Sequence, residues 1–479
     1  MAGTPITVAH GDGIGPEIME ASLFALREAG ASLDVETISI GESVYLKGQA
    51  AGIEPESWDS LRRTRVFYKA PITTPQGGGF KSLNVTVRKT LGLYANVRPC
   101  VAYAPFVRTK YPGMNVVIVR ENEEDVYGGI EYRQTNEMYE CLKLISRPGS
   151  EKIIRYAFEY ARINGRKKVT CFAKDNIMKM TDGLFHAVFD EVATEYPQIE
   201  HEFWIVDIGA AKLSATPEAF DVVVMPNLYG DILSDVAAQI AGSVGLAGSA
   251  NIGDHLAMFE AIHGSAPRHA GQNRANPSGL LLGGVMMLVH LGQAEAATRL
   301  HNAWLRTLED GIHTADIYTE GTSVERVGTR EFAQAIVARL GQEPQQFKPV
   351  AYRAEAVQGP ITIRPTMPAH KELVGVDVFV DWQDRNAERL AALLQPLDGN
   401  GLQLNMLTNR GVRTWPHGYP ETFLTDHTRC RYYATNRVVT HEQVAALLGR
   451  LAEAGIDFIK TEHLYHFDGQ PAFSVEGES

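Results

Sequence analysis

The sequence predicts an α/β chain that ends in a separate α+β module, and three observations carry that prediction. Short apolar strands at 116–119, 169–172 and 222–225 alternate with helical stretches at 153–163 and 182–195, the pattern of a layered α/β architecture. Pro344, Pro349, Pro360, Pro365 and Pro368 then interrupt regular structure and favour an extended connector. Beyond the connector, strands and helices follow in the order β-α-β-β-α-β.

The elements can be justified in turn. Residues 6–9 form a strand candidate, G-D-G-I-G-P-E (11–17) a turn, and 17–29 a helix, with Pro16 suited to its first turn and Gly30 to its stop. The glycine spacing is G-x-G-x-G, not the G-x-G-x-x-G of a dinucleotide fingerprint, so a tight strand-to-helix turn is favoured over a phosphate site. The most apolar run, 279–292, is interrupted by His290 and falls short of the ~20 residues of a membrane helix; it reads as a buried helix. In the last module, Val374, Val376, Val378, Val380 and Trp382 alternate with their neighbours at the period of a strand. A helix pattern (Ala387, Leu390, Leu394, Leu397), strands near 402–407 and 430–434, a second helix (Val444, Leu447, Leu448, Leu451) and a strand near 458–464 complete a ferredoxin-like sandwich.

Composition narrows the function classes. The 479 residues carry 57 Asp and Glu against 45 Lys and Arg, a net charge of −12, which repels polyanions and argues against nucleic acid as a main partner. Cys100, Cys141, Cys171 and Cys430 contain no C-x-x-C pair, which speaks against a zinc knuckle or disulfide framework and suits a reducing cytoplasm. The first residues hold neither a basic stretch nor a long apolar one, so no signal peptide and no membrane partner are expected.

Three residue clusters could carry chemistry. In P-I-T-T-P-Q-G-G-G-F-K-S-L-N-V-T-V-R (71–88), Gly77 to Gly79 form a loop where backbone can approach a ligand, followed by Ser82, Asn84 and Arg88. Arg98 and Arg120 sit at the edges of apolar segments. A structural ion pair with an acid such as Glu121 is the plain explanation for any one of them, but three together suggest a polycarboxylate gripped by planar guanidinium forks. In N-L-Y-G-D-I-L-S-D (227–235), a helix beginning near Gly230 would place Asp231 and Asp235 four apart on one face, where a divalent cation would relieve their repulsion. Asp207 is a third carboxylate, and oxygen ligands favour Mg²⁺ or Mn²⁺ over zinc. Tyr127 and Lys174 are the proton-transfer candidates, Lys174 because it follows an apolar strand where desolvation and nearby cations favour the neutral amine.

Taken together, T-T-P-Q-G-G-G-F-K-S-L-N, R-E-N-E-E-D-V-Y-G-G-I-E, K-D-N-I-M-K-M-T-D-G, N-L-Y-G-D-I-L-S-D and H-G-S-A-P-R-H-A-G-Q-N-R-A-N-P occur in one order. From the first glycine turn to about Gly341, the chain resembles the NADP-dependent isocitrate dehydrogenases of the β-decarboxylating dehydrogenase family. The final module is similar to the extension of the longer bacterial members. The resemblance implies the isocitrate/isopropylmalate dehydrogenase-like fold, not a Rossmann fold. It also implies a large domain of residues 1–95 and 250–343, a small domain with a dimer clasp at 96–249, a linker at 344–370 and an extension at 371–479.

The same resemblance implies residue roles. Ser82 and Asn84 would contact the carboxylate that distinguishes isocitrate, and Arg88, Arg98 and Arg120 the others. Asp207, Asp231 and Asp235 would surround Mg²⁺ or Mn²⁺, with Lys174 and Asp207 donated across a homodimer interface; a higher oligomer stays open. Thr73 and Thr74 would lie near the nicotinamide, and Glu260, His263, Gly264 and Asn276 near the rest of the cofactor. Arg268 and His269 suit the 2′-phosphate of NADP, although Ala315 and Thr319 replace a Tyr and an Arg of some bacterial NADP enzymes. Homoisocitrate, tartrate or isopropylmalate are the rival substrates. A C-terminal module that senses a ligand or RNA is the rival of another class, and no basic aromatic motif supports it.

Overall fold

The computed structural model describes residues 3–74, 82–353 and 360–475. The chain divides into two compact units, Met1–Gly128 with Lys143–Ile363, and Gly129–Leu142 with Arg364–Ser479. Gly77 to Gly79, the expected ligand-approach loop, lie outside the described residues.

In the first unit, β1 (Thr4–Ala9), α1 (Gly15–Glu28), β2 (Leu33–Thr37), α2 (Glu42–Leu46), α3 (Ser57–Thr64), β3 (Val66–Lys69), α4 (Leu83–Thr90), β4 (Ala95–Val101) and β5 (Asn115–Glu121) come first. The chain then leaves for a hairpin of the second unit, β6 (Glu131–Arg133) and β7 (Tyr139–Cys141). It returns with α5 (Arg147–Ile163), β8 (Lys168–Ala173), α6 (Thr181–Ala193), β9 (Glu200–Ile205), α7 (Val206–Ala215), β10 (Val222–Met225) and α8 (Asn227–Ala241). The unit closes with β11 (Gly248–Ile252), β12 (Ala257–Ala261), α9 (Ser278–His290), α10 (Ala294–Glu309), β13 (Ile312–His313), β14 (Glu325–Arg326) and α11 (Thr329–Val337).

Ten of these strands form one sheet in the order β2-β1-β3-β12-β11-β4-β5-β10-β8-β9. Pairing is parallel at both ends and antiparallel where β11 meets β12 and β4, and where β4 meets β5. Val116, Val117, Ile118 and Val119 of β5 and all of β10 are buried, as near-continuous apolar strands covered on both faces must be. Helix α9 is apolar all round and almost wholly buried, as its composition predicts.

The glycine turn after β1 is a packing device. Gly11 and Gly13 have φ of 64° and 59°, and a Cβ on either would lie 2.1 Å from the Pro71 carbonyl oxygen or 2.0 Å from that of Ser265. The amides of Asp12 and Ile14 donate to those same carbonyls, each at 2.9 Å. These N–H groups are spent on the protein's own backbone, so the tight turn prevails over a phosphate fingerprint. The Asp12 carboxylate accepts from the Thr73 amide at 2.8 Å, so the turn fixes the loop that leads toward α4.

The second unit runs β15 (Lys371–Asp381), α12 (Ala387–Leu394), β16 (Leu402–Asn409), β17 (Val412–Trp415), β18 (His427–Ala434), α13 (His441–Glu453), β19 (Phe458–Phe467) and β20 (Gln470–Pro471). Its antiparallel sheet has the order β17-β16-β18-β15-β19-β20, the expected β-α-β-β-α-β sandwich with two added edge strands. Val376, Val378, Val380, Leu390, Leu447 and Leu451 share its core. On β15, Asp377 is buried and holds Arg431 of β18 by two hydrogen bonds of 2.8 Å. The hairpin Gly129–Leu142, inside the segment expected as the small domain and clasp, packs with this unit: Glu140 pairs with Lys460 at 2.9 Å, and the Asp426 amide donates to Glu137 at 3.1 Å. Arg431→Met takes both 2.8 Å hydrogen bonds from the buried Asp377 carboxylate, leaving Arg429 at 3.6 Å, and should destabilise this unit by about 3–5 kcal/mol, read from denaturant unfolding against the unmodified chain; an unchanged midpoint would contradict it.

Candidate active site

Two buried arginines stand side by side because β4 and β5 are paired antiparallel. Arg98 lies on β4 and Arg120 at the end of β5, opposite Asn96; they are 5% and 1% exposed. Helix α8 starts at Asn227, one turn earlier than the sequence suggested, and runs past them. Gly230 allows that approach, since a Cβ there would lie 2.5 Å from Arg120 Cγ. Asp231 ion-pairs with Arg120 and lies 3.7 Å from Arg98. Asp235, one turn on, is 3.3 Å from Arg98, and Ser234 Oγ accepts from Arg98 at 2.6 Å. The anticipated Glu121 partner does not serve: its carboxylate accepts the amides of Glu123 and Glu124 instead.

Arg88 reaches the site from α4. Its Nη2 donates to Glu260 Oε1 at 3.0 Å, while its buried Nε has no partner among the described residues. Asn84, one turn earlier on α4, likewise holds a buried Oδ1 without a partner, and Ser82 is exposed at the cap position before the helix. Orphaned polar atoms beside buried cations mark a place where a polar anionic ligand fits. Burial and the mutual repulsion of the guanidinium groups push Arg98 and Arg120 below their ordinary pKa. A guanidinium does not lose its proton, so the strain appears as demand for further negative charge.

Tyr127, just after β5, donates to Asp231 Oδ2 and lies with its ring 5.0 Å from the Arg120 guanidinium. Burial and the hydrogen bond to Asp231 push its phenol up to about 12, so it stays protonated near neutral pH. Burial alone would raise Asp231, but Arg120, the Tyr127 hydroxyl, Arg98 and Arg88 more than offset it and hold it below the usual carboxylate range. Asp235 is raised by burial, which Arg98 only partly counters.

Lys174 and Asp207 form a second set. Lys174 follows β8, Asp207 opens α7, and Nζ lies 2.7 Å from Oδ1. The lysine faces an anion, not the cations the sequence reading supposed, and the hydrogen bond from it lowers the Asp207 pKa. Among the described residues, no three His, Cys, Asp or Glu side chains come close enough to hold a metal ion. Asp231 and Asp235 supply the hard oxygen donors that suit Mg²⁺ or Mn²⁺, and Asp207 does not join them within one chain.

The remaining candidates line the loop after β12. Thr73 Oγ1 lies 2.7 Å from Ser265 Oγ, with Thr74 next to it, half-buried. His263 Nδ1 contacts the Gly264 carbonyl at 3.1 Å, its Nε2 is buried without a partner among the described residues, and burial lowers its pKa, favouring the neutral ring. Gly264 has open space where a Cβ would sit. Arg268 and His269 are exposed on a short turn, Pro267–His269, and Asn276 donates to Asp316 at 3.0 Å. Glu260 stands apart from this loop: it is buried between Lys69, at 2.8 Å, and Arg88.

An isocitrate/isopropylmalate dehydrogenase profile matches residues 5–336. The chain belongs to the isocitrate/isopropylmalate dehydrogenase family. A bacterial isocitrate dehydrogenase C-terminal domain profile matches residues 371–478. The isocitrate dehydrogenase (NADP) of Rickettsia bellii is 55% identical over 479 residues, 99% of either chain. That of Thermus thermophilus is 44% identical over 486 residues, 99% of this chain and 96% of the relative. Among solved structures, a Thermus thermophilus protein superposes with a TM-score of 0.90 at 44% identity, covering 98% of this chain and 95% of its own. The isocitrate dehydrogenase of Methylococcus capsulatus gives 0.67 at 43% identity, covering 71% of this chain and 99% of its own.

In this isocitrate/isopropylmalate dehydrogenase family member, the sequence reading missed Lys69. The signal was available: like Arg120, Lys69 is a cation at the end of an apolar strand. Burial alone would raise Glu260, but Lys69 and Arg88 overcome it and hold its pKa well below the ordinary carboxylate value. A depressed carboxyl stabilises the fold above its unfolded pKa of about 4.3 and loses that contribution as pH falls toward the folded value. Glu260→Gln should therefore cost about 3–5 kcal/mol at pH 7, and the gap to the unmodified chain should narrow from pH 5 to pH 3 in denaturant titrations; a gap that widens would refute the assignment.

Proposed function

We propose that this chain catalyses the oxidative decarboxylation of isocitrate to 2-oxoglutarate and carbon dioxide, with reduction of NADP⁺, as a cytoplasmic homodimer with shared active sites. The observation that carries the reading is the convergence of buried Arg98 and Arg120 on Asp231, with the protonated Tyr127 on the same carboxylate and buried Arg88 close enough to repel both arginines. Three cationic forks fit a tricarboxylate. No helix among the described residues is long and apolar enough to cross a membrane.

Arg88, Arg98 and Arg120 bind the substrate carboxylates, and Ser82 with Asn84 contacts the one that distinguishes isocitrate from isopropylmalate. Asp231 and Asp235, with Asp207 from the second subunit, would hold Mg²⁺ or Mn²⁺, which supplies Lewis-acid stabilisation of charge on the C2 oxygen. Lys174 with the metal-linked acids would remove the C2 hydroxyl proton, and a bound nicotinamide would supply the hydride acceptor for C2. The terminal carboxylates, on C2 and C4, would stay gripped while the carboxylate on C3 departs as carbon dioxide, and Tyr127 returns a proton to C3. Thr73 and Thr74 border the nicotinamide, His263, Gly264 and Asn276 shape the cofactor site, Arg268 with His269 faces the 2′-phosphate, and Glu260 instead holds Lys69 and Arg88 beside the substrate arginines. Residues 1–95 and 250–343 would form the large domain and 96–249 the small one, apart from the hairpin Gly129–Leu142, which groups with the terminal unit.

Shared sites are supported by exposed apolar side chains beside both charged sets. Ile208 is 49% exposed on α7 next to Asp207, and Ile232 is 55% exposed on α8 next to Asp231. A second copy of the chain would cover them and bring Lys174 and Asp207 to the arginines.

Mixing the chain with isocitrate, NADP⁺ and Mg²⁺ should generate NADPH absorbance that a chelator abolishes, and a preference for isopropylmalate, homoisocitrate or tartrate would overturn the substrate assignment. Tyr127→Phe should lower kcat by about 10²–10⁴-fold; undiminished turnover would remove Tyr127 from the mechanism. Arg268→Asp should cut kcat/KM for NADP⁺ by about 10²-fold while sparing NAD⁺, so an equal loss with both cofactors would dismiss Arg268 as the phosphate contact.

A further inference from the structure

One ammonium group joins the loops that carry the two proton-transferring side chains. Lys143 Nζ lies 2.9 Å from Asp125 Oδ1 and 3.1 Å from Asp182 Oδ1, and both carboxylates are wholly buried. Each acid in turn holds part of the site. Asp125 Oδ1 accepts the Val126 amide at 2.8 Å, immediately before Tyr127, and its Oδ2 accepts the Leu228 amide at 2.9 Å, in the first turn of α8. Asp182 Oδ2 accepts the Lys174 amide at 2.7 Å and the Tyr229 hydroxyl at 3.1 Å. The Tyr229 ring lies 4.8 Å from the same ammonium. Asp125 also adopts φ of 65°, in the left-handed region that Asp tolerates better than most residues.

Two buried carboxylates with a common cation are stable as a set, and they repel each other once the cation is removed. Loss of the ammonium would let Asp125 and Asp182 move apart. The first would shift the backbone immediately before Tyr127; the second would release the Lys174 amide. We infer that Lys143 is a positioning residue that sets the placement of both Tyr127 and Lys174, and this rests on the proton-transfer roles proposed for those two. Lys143 touches none of the arginines, so its contribution falls on the chemical steps and leaves ground-state binding of the carboxylates intact. Because Lys174 serves the site of the second subunit, the Lys143 bridge also ties the acid of one site to the base of the other.

The test uses the full chain and the Lys143→Met variant, compared by steady-state kinetics with isocitrate, NADP⁺ and Mg²⁺. Expected is a fall in kcat of about 10–100-fold, the scale of an ångström-sized misplacement, with both KM values within about threefold. In a Tyr127→Phe background the same substitution should cost clearly less than in the unmodified chain, because only the share that acts through Lys174 remains and neighbours that act through one another are not additive. An unchanged kcat, a loss expressed in KM, or an equal cost in both backgrounds would overturn the inference. Should Lys143→Met fail to fold, Asp182→Asn loosens the bridge from its other end: lower kcat at constant KM supports the inference, and unaltered kcat overturns it. Turnover of isocitrate by the unmodified chain tests the proposed function separately, whatever Lys143 does.

Discussion

Burying Arg88, Arg98, Arg120 and Lys69 obliges the surrounding structure to supply anions and hydrogen-bond acceptors, because an unpaired buried charge is costly. Three carboxylates answer the four cations: Glu260 takes Lys69 and Arg88, while Asp231 and Asp235 take Arg98 and Arg120. The two halves are joined by amides. Arg98 donates to Asn96, Asn96 to Asn251 at 2.7 Å, and Asn251 to Glu260 at 2.8 Å. Asn251 Oδ1 accepts from Asn122 as well, at 3.1 Å, so one side chain on β11 links β4, β12 and the residue that follows β5. The antiparallel strands in the middle of an otherwise parallel sheet exist where this array sits.

The array also sets the ionisation of the groups that would act. Asp231 stays a carboxylate because three arginines and a phenol stabilise its charge, and the same carboxylate keeps the Tyr127 proton in place. A net charge of −12 is compatible with binding anions here, since the positive charge is gathered at the few positions where an anion would dock.

Much of this was legible in the sequence. The β5, β8 and β10 strands and the terminal sandwich were readable because strand period and apolar runs survive without knowledge of partners. Arg98 and Arg120 stood out as cations ending apolar segments, and the same logic applied to Lys69 would have found it. The role of the first glycine turn was legible only as a spacing; that Gly11 and Gly13 make room for the Pro71 and Ser265 carbonyls is a contact between segments far apart in the chain. Lys143, Asp125 and Asp182 were invisible for the same reason, since ordinary charged residues become a network only when a fold brings them together. Glu260 lies close in sequence to His263 and Gly264, yet its β12 position turns it inward to Lys69 and away from that loop.

The hairpin Gly129–Leu142 gives the second unit an unusual chain economy. Its polypeptide is threaded through twice, once as an excursion between Tyr127 and Lys143 and once as the terminal module. Ending the chain at Ile363 would therefore not yield a tidy fragment. It would leave a hairpin whose Glu137 had lost Arg385, whose Glu140 had lost Lys460 and whose Thr135 had lost Asp426. The partners so lost belong to a hairpin that begins two residues after Tyr127.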